Sequence, residues 1–417
     1  MSSSFRPHNL SQREIEVIQL IADGLTDKEI AARLCITPRT VSEHINNIRS
    51  KLGAANRASA VYLYFFKLMA QRHAHAAAAP QRSGMSTNST VSLRQADAQR
   101  DSTLIAALRY PVQRIAAGCE FVTPVTEAGV KDDVIRELAD AHHRFCVAQD
   151  ASGTIVGFSQ LSQYAWNPPD KRDLRLIVDS AQRCKGVGGV LYDEVLAHCA
   201  EQKISHLATS VSDHEISLRR FARKRGFNEV HHHINFELDL TTFDSMRFED
   251  LIERVRAAGI RLSNMAEVGN TEEAQRKLFY LNSWCATLDL PGVKDEPDWD
   301  SWEQFKQAVC DSWWYQPEGQ MVAIDEQTGE WVGLCAVVAN EKMKGGDTMH
   351  TGVDRRYRRD PRIGQALKLA GIQYCIRQGA TKLGDNHDSR DANNLALNYS
   401  MGFTTLPSVI YLEKKLV

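Results

Sequence analysis

Apolar positions recur along the chain in changing patterns, and the changes divide it. Residues 10–52 follow the helical period, with apolar residues at 15, 17, 18, 20 and 21 on one face of a first segment. Ser11 stands as its N-cap and Glu14 as the capping-box partner, and Gly24 ends it. A second helix is expected from Thr26 to Leu34. A third is expected from Pro38 to Leu52, with Thr37 capping it and Pro38 in its first position. Two helices joined by Leu34-Cys-Ile-Thr37 read as a helix-turn-helix. From His73 to Asp101 no apolar face persists, and the Ala, Ser, Thr and Gln content reads as a linker.

Beyond residue 101, short apolar runs alternate with helical stretches. A helix over Val130–Arg144 precedes a hairpin, Phe145–Gln149 and Thr154–Leu161, turning at Asp150-Ala-Ser-Gly153. The run Leu174–Val178 leads into Arg183-Cys184-Lys185-Gly186-Val187-Gly188-Gly189 and a helix to residue 201. A strand at 206–211, a helix at 216–225, Gly226-Phe227 and a strand at 228–238 follow. The same order returns between 313 and 413: Val353-Asp354 answers Val178-Asp179, and Gly402-Phe403 answers Gly226-Phe227. This is an internal duplication. The expected fold is multidomain: an all-α helix-turn-helix bundle at 1–72, a linker at 73–101, and two α/β domains with mixed sheets at 102–243 and 244–417.

Charge changes this picture only locally. The whole chain carries 50 Lys+Arg against 52 Asp+Glu. Residues 1–73 carry ten against six, so a basic excess sits in the helical domain. Nine scattered cysteines without a Cys-x-x-Cys pair argue for a reducing compartment and against a disulfide framework or a structural zinc. His231-His232-His233 alternate faces in a strand and do not converge on one ion, so no metal site is expected. The apolar runs are too short to span a membrane, and the expected location is the cytoplasm.

Two resemblances carry function. Leu10-Ser-x-Arg13-Glu14, Lys28-Glu-Ile-Ala31, Thr40-Val41, His44, Asn47-Ile48, Lys51-Leu52 and Asn56-Arg57 make the first segment similar to the DNA-binding domain of LuxR (NarL/FixJ-type) regulators. That resemblance implies base contacts from Arg39, Thr40, Glu43, Asn46 and Asn47 and phosphate contacts from Lys28, Arg49, Lys51 and Arg57. The family's usual lysine after Thr-Val is Ser42 here. Val61–Met69 carries more aromatic surface than so small a bundle buries, which suggests a homodimer or interdomain contact.

Arg183-x-x-Gly186-x-Gly188 after a strand, within the helix and strand order above, resembles the acyl-CoA loop of the GCN5-related N-acetyltransferase superfamily. Asn386-His-Asp388 with Asn393 and Asn398, and Leu288–Pro291, resemble tandem actinobacterial acetyltransferases of the mycothiol synthase group. The resemblance implies acetyl-CoA or another acyl-CoA as co-substrate and a small-molecule amine as acceptor. It implies that Ile177 and Val178 hold the pantetheine arm by main-chain groups, and that residues 183–189 hold the diphosphate. Asp173 and His350 are candidate bases, and Tyr164 and Trp166 candidate pocket residues. The family's tyrosine acid position holds Ala222 in the first repeat and Asn398 in the second. The second loop, Tyr357–Gly364, reads as one residue longer, with Arg362 in place of the first glycine. The expected activity is acyl-CoA-dependent N-acyl transfer, with the first repeat binding CoA and the second shaping the substrate site; the alternative is a regulator whose repeats sense a metabolite.

Overall fold

The computed structural model describes residues 10–22, 26–34, 36–52, 60, 64, 91–116, 125–164, 167–285, 299, 301–358 and 362–416. Arg57, most of Val61–Met69, the linker to residue 90, Trp166 and Leu288–Pro291 lie outside them. The chain forms two compact units, one of residues 1–80 with 236–405, the other of residues 81–235 with 406–417.

In the first unit, helices α1 (Gln12–Ala22), α2 (Asp27–Leu34) and α3 (Pro38–Leu52) pack on one core of Leu10, Val17, Ile18, Ile30, Val41, Ile45 and Ile48. Both halves of the capping box form: the Ser11 N–H donates to Glu14 at 2.6 Å, and the Glu14 N–H donates to Ser11 Oγ at 3.2 Å. Ala396, from the second repeat, packs against this core, and Arg254 pairs with Glu29 at 3.1 Å. The helical domain therefore has a seat on the second repeat.

The second unit carries the first repeat. Its strands β1 (Ser92–Gln95), β2 (His143–Gln149), β3 (Ile155–Ser162), β4 (Lys171–Val178) and β5 (His206–Ser212) lie in that order in its sheet. Helices α4 (Ala98–Ala116) and α5 (Glu127–Ala139) bury Ile105, Val130 and Val134 against Phe145, Phe158 and Ile177. Helix α6 (Val187–Glu201) buries Tyr192 and Val195 with Leu161, Leu174 and Leu207 on another core. Helix α7 (Ile216–Lys224) and strand β6, which starts at Asn228 and runs to Asp239, complete the repeat.

The last strand of the chain, β13 (Val409–Lys415), belongs to this sheet and not to the repeat that precedes it in sequence. It lies antiparallel between β5 and β6, pairing Val409–Lys415 with Ser212–His206 on one side and Val409–Tyr411 with His233–His231 on the other. The expected boundaries 102–243 and 244–417 are thus limits along the sequence, and the compact unit of the first repeat draws its closing strand from residues 406–417. Ile410 and Leu412 fill the core under α6, which gives the strand its place.

The second repeat, in the first unit, runs through α8 (Glu249–Ala257), β7 (Ile260–Asn264), α9 (Glu272–Cys285), α10 (Trp302–Phe305), β8 (Gln320–Asp325), β9 (Trp331–Asn340) and β10 (Gly345–Val353). Helix α11 (Arg362–Arg377), β11 (Lys382–Asp388), helix α12 (Ala392–Ser400) and the short β12 (Thr404–Thr405) follow. Strands β11, β10, β9, β8 and β7 are neighbours in that order.

Candidate acyl-CoA site and DNA-facing helix

Both repeats open their sheets at the same register point. Strands β4 and β5 pair in parallel at Lys171↔His206, Arg172↔Leu207 and Asp173↔Ala208, and the pairing stops there although both strands continue. Strands β10 and β11 pair at Gly345↔Lys382, Gly346↔Leu383 and Asp347↔Gly384, and stop likewise. Asp173 and Asp347 are therefore equivalent. Past each, two parallel strands diverge and leave main-chain groups of Leu174–Val178 and of the end of β10 facing a wedge.

The wedge of the first repeat ends at the glycine loop. Cys184 and Gly186 have φ of 63° and 92°, left-handed values on either side of Lys185. Gly186 is the N-cap of α6, and no side chain caps the helix there. The first hydrogen bonds to that cap come from Gly189 and Val190, both to the Gly186 carbonyl, so the N–H groups of the opening turn point outward from the helix start. Cys184, Lys185 and Gly186 are exposed, Val187 is buried as a foot in the core, and Gly188 packs against Phe221 of α7. This is an anion-binding geometry, with main-chain donors and the positive end of a fifteen-residue helix aimed at one place. Helix α7 meets the loop through Phe221 and Arg225; on another of its faces Ile216, Arg219, Arg220, Arg223 and Lys224 line a concavity of about 540 Å³.

Arg183 turns back instead of reaching out. Its Nε donates to the Val178 carbonyl at 3.4 Å and its guanidinium lies 3.6 Å from Glu215. In the second repeat Arg358 Nε donates to the Val353 carbonyl at 2.5 Å, and helix α11 begins at Arg362, four residues on, as α6 begins at Val187 four residues after Arg183. The residues between Arg358 and Arg362, Pro361 among them, lie outside the described residues. Proline has no N–H to offer an anion.

The expected catalytic residues fall in separate places. Asp173 is half-buried at the mouth of the first wedge, where the Asn167 amide donates to it. His350 lies in the second repeat, just past a bulge in β10 at Met349. Burial holds its imidazole at about 4, so it is neutral at pH 7. Ala222 is packed in the first repeat's core and carries no chemistry. Asn398 is fully buried and donates to Asp385 at 2.8 Å. Tyr164 stands edge-on to His143 at 5.9 Å.

Sequence reasoning missed the ionic centre of the second repeat. Lys368 and Asp385 are both buried and paired, and His387 and Asn398 approach the same Asp385 oxygen at 3.0 and 2.8 Å. Burial raises the Asp385 carboxyl, but His387 and Lys368 outweigh it and hold the group well below the usual range. The signal was a lysine inside the apolar run Ala366-Leu-Lys368-Leu-Ala370.

On helix α3, Val41, Ile45, Ile48 and Leu52 face the core, while Arg39, Glu43, Asn46 and Asn47 form the opposite, exposed stripe, with Thr40 at its edge. Arg39 and Glu43 lie 3.4 Å apart along it. Lys28 is exposed and Arg49 half-buried. The Lys51 ammonium lies 2.7 Å from Glu14, which ties α3 to the start of α1. Ser42 donates to Asp27 at 3.2 Å.

The comparisons match these parts. Residues 8–64 match the model for bacterial regulatory proteins of the luxR family, and residues 114–227 the GNAT acetyltransferase family. The chain is 50% identical over 60 residues to the transcriptional regulatory protein LiaR of Bacillus subtilis, covering 14% of this chain and 28% of that one. It is 44% identical over 57 residues to the nitrate/nitrite response regulator protein homolog of Haemophilus influenzae, covering 14% and 27%. The chain thus spans little more than a quarter of these regulators. The GCN5-related N-acetyltransferase of Sphaerobacter thermophilus superposes with a TM-score of 0.51 at 14% identity, covering 78% of this chain and 95% of the other. A fungal GCN5-related glucosamine N-acetyltransferase region superposes with a TM-score of 0.52 at 17% identity, covering 80% and 39%. At such identities the likeness is one of fold. Among the described residues no helix is long and apolar enough to cross a membrane. The chain therefore carries at residues 8–64 a helix-turn-helix segment that matches the luxR family, and beyond it a mixed-sheet α/β, GNAT-like fold in which residues 114–227 match the GNAT acetyltransferase family.

Proposed function

We propose that this protein is an acyl-CoA-dependent N-acyltransferase with a DNA-binding domain, in which the first repeat holds the co-substrate and the second shapes the unit. The observation that carries the reading is the glycine loop. Left-handed Cys184 and Gly186 open α6 at the end of a strand whose inner edge is left unpaired past Asp173. A diphosphate at the helix start and an extended pantetheine arm along Leu174–Val178 use both features, the arm bonding main-chain groups near Ile177 and Val178. An N–H of that strand then polarises the thioester carbonyl, and an amine attacks it with Asp173 receiving the proton. The proline that the sequence carries in the second loop, and the buried Lys368–Asp385 pair behind the second wedge, support assigning the co-substrate to the first repeat alone.

The second reading, a regulator that senses acyl-CoA without turnover, draws on Ala222 and Asn398, which leave both tyrosine acid positions empty of an acid. Turnover with acetyl-CoA over a panel of amines separates the two, with Gly186→Val as the blank: acyl transfer that the blank lacks supports the enzyme, and binding without transfer supports the sensor.

On the DNA side, the exposed stripe of α3 supports base contacts by Arg39, Thr40, Glu43, Asn46 and Asn47, with Lys28 and Arg49 set for phosphates. A dimer would match a two-fold site.

A further inference from the structure

Beneath helices α4 and α5 the first repeat's sheet carries a polar cluster that the co-substrate does not use. The register pairs Gln160 with Arg175 and Ser162 with Asp173, so these four share one face of β3 and β4. Phe158 and Ile177, the next pair on that face, pack under α4 and α5 with Ile105 and Val130. Arg109 of α4 and Glu137 of α5 complete the cluster.

The charges in it are unevenly matched. Arg109 grips Glu137 through both of its terminal nitrogens, one at 3.1 Å. Gln160 spends its amide on Glu137 at 3.0 Å and on Ser162 at 3.1 Å, and turns its carbonyl to Arg175 Nη1 at 2.9 Å. Among the described residues no carboxylate lies within ion-pair distance of Arg175. Its guanidinium is half-buried and held by one neutral acceptor, with most of its fork of donors uncommitted. Burial and the neighbouring Arg109 charge press its pKa down and outweigh the Glu137, Tyr164 and Asp173 charges, which push it up. Asp173, two residues along the same face and about 7 Å away along the strand, has Oδ2 occupied by Asn167. The wedge and its thioester-polarising strand lie next to both.

We infer that Asp173 and Arg175 are the two ends of the acceptor site, and that the acceptor is an amine carrying a carboxylate a few bonds from its nitrogen, of the amino-acid class. The guanidinium takes the carboxylate in a forked pair. Asp173 Oδ1 takes the ammonium and then its proton. The inference rests on the reading of the first repeat as the acyl-CoA-binding one. The step balances: the neutral amine adds to the thioester carbonyl, the C–N bond forms as C–S breaks, and the thiolate leaves with one proton. One further proton passes through Asp173 to solvent.

The test measures binding of L-α-amino acids, each beside its α-carboxamide, to the full-length protein with acetyl-CoA present. Calorimetry serves as the readout, so turnover is not required. At least one amino acid is expected to bind ten-fold or more tightly than its amide. Arg175→Gln should erase that preference and leave acetyl-CoA affinity unchanged, while Arg175→Lys should restore part of it. Equal affinity for acid and amide across the panel, including none measurable, overturns the proposal, as does a preference that survives in Arg175→Gln. Loss of acetyl-CoA binding in the wild-type protein would count against the co-substrate reading instead, and the acid-to-amide ratio would still decide this one.

Discussion

At the scale of single residues, the second repeat is organised by charges it buries. Lys368 on α11 holds Asp385 where no water reaches, and the pair survives because His387, Asn398 and the Asn386 N–H satisfy the carboxylate as well. Removing one partner leaves an uncompensated charge. Lys368→Met is expected to cost about 3–5 kcal/mol in urea unfolding, and Lys368→Met with Asp385→Asn should recover part of that loss. Asp347, beside them, behaves oppositely. Burial and the nearby Asp385 charge push its carboxyl up to about 7. The folded protein keeps this proton between the ordinary carboxylate pKa and 7 while the unfolded chain has lost it, so this group's contribution falls as pH rises through that window. His350 opposes it: held at about 4, it disfavours the folded state as pH falls from 6.5 towards 4. Asp347→Asn should therefore gain stability relative to wild type more at pH 7.5 than at pH 4.5, read by denaturant midpoints at the two pH values. Neither residue's environment was legible in the sequence. Both depend on two strands that diverge at Asp347, and burial at that point follows from pairing between distant segments.

At the scale of elements, helix α12 has two duties. Ala396 packs into the core of the helix-turn-helix domain, while Asn398, half a turn on, is bonded to Asp385 and Asn394 to the Thr351 carbonyl. One nine-residue helix thus joins the helix-turn-helix domain to the wedge of the second repeat. Ala396→Trp overfills this contact, at a cost of about 1–3 kcal/mol. Amide exchange should speed up in α1 and α3 and stay unchanged in β8 and β9, because the change loosens the seat and spares the sheet. The helices themselves were readable from caps and periodicity: Ser11 with Glu14, and Pro38 at the head of α3, stand where the pattern put them. Helix α5 runs over Glu127–Ala139 and not Val130–Arg144, because Thr126 caps it through the Gly129 N–H and β2 starts at His143. The seat on α12 was not readable. Ala396 is one small residue in an ordinary helix, and nothing local marks what it touches.

At the scale of the whole molecule, the duplication is not two halves laid end to end. The order of elements in each repeat was visible along the chain, since every element carries its own period and turn residues. The exchange of β13 was not, because strand pairing between residues roughly two hundred positions apart leaves no local trace. Its consequence is that the first repeat cannot finish folding until the last residues of the chain arrive. Ile410, fully buried beneath α6, tests this. Ile410→Asp should unfold the first repeat's unit and abolish acetyl-CoA binding, although the substitution lies more than two hundred residues from the glycine loop in sequence. Circular dichroism and calorimetry on the same sample would read both effects, and normal acetyl-CoA affinity in this variant would refute the shared sheet.

The central claim is that the loop from Arg183 to Gly189 holds the diphosphate of an acyl-CoA, and acetyl-CoA affinity by titration calorimetry addresses it most directly. Gly186 sits at φ 92° with open space around a would-be Cβ, so a side chain there meets no clash and acts only through the backbone it cannot adopt. The wild-type protein should bind acetyl-CoA, and Gly186→Val, with its β-branch at a left-handed position, should bind it at least ten-fold more weakly while still melting in one cooperative transition, lowered by the strain at that residue. Equal affinity in the two proteins would contradict the account.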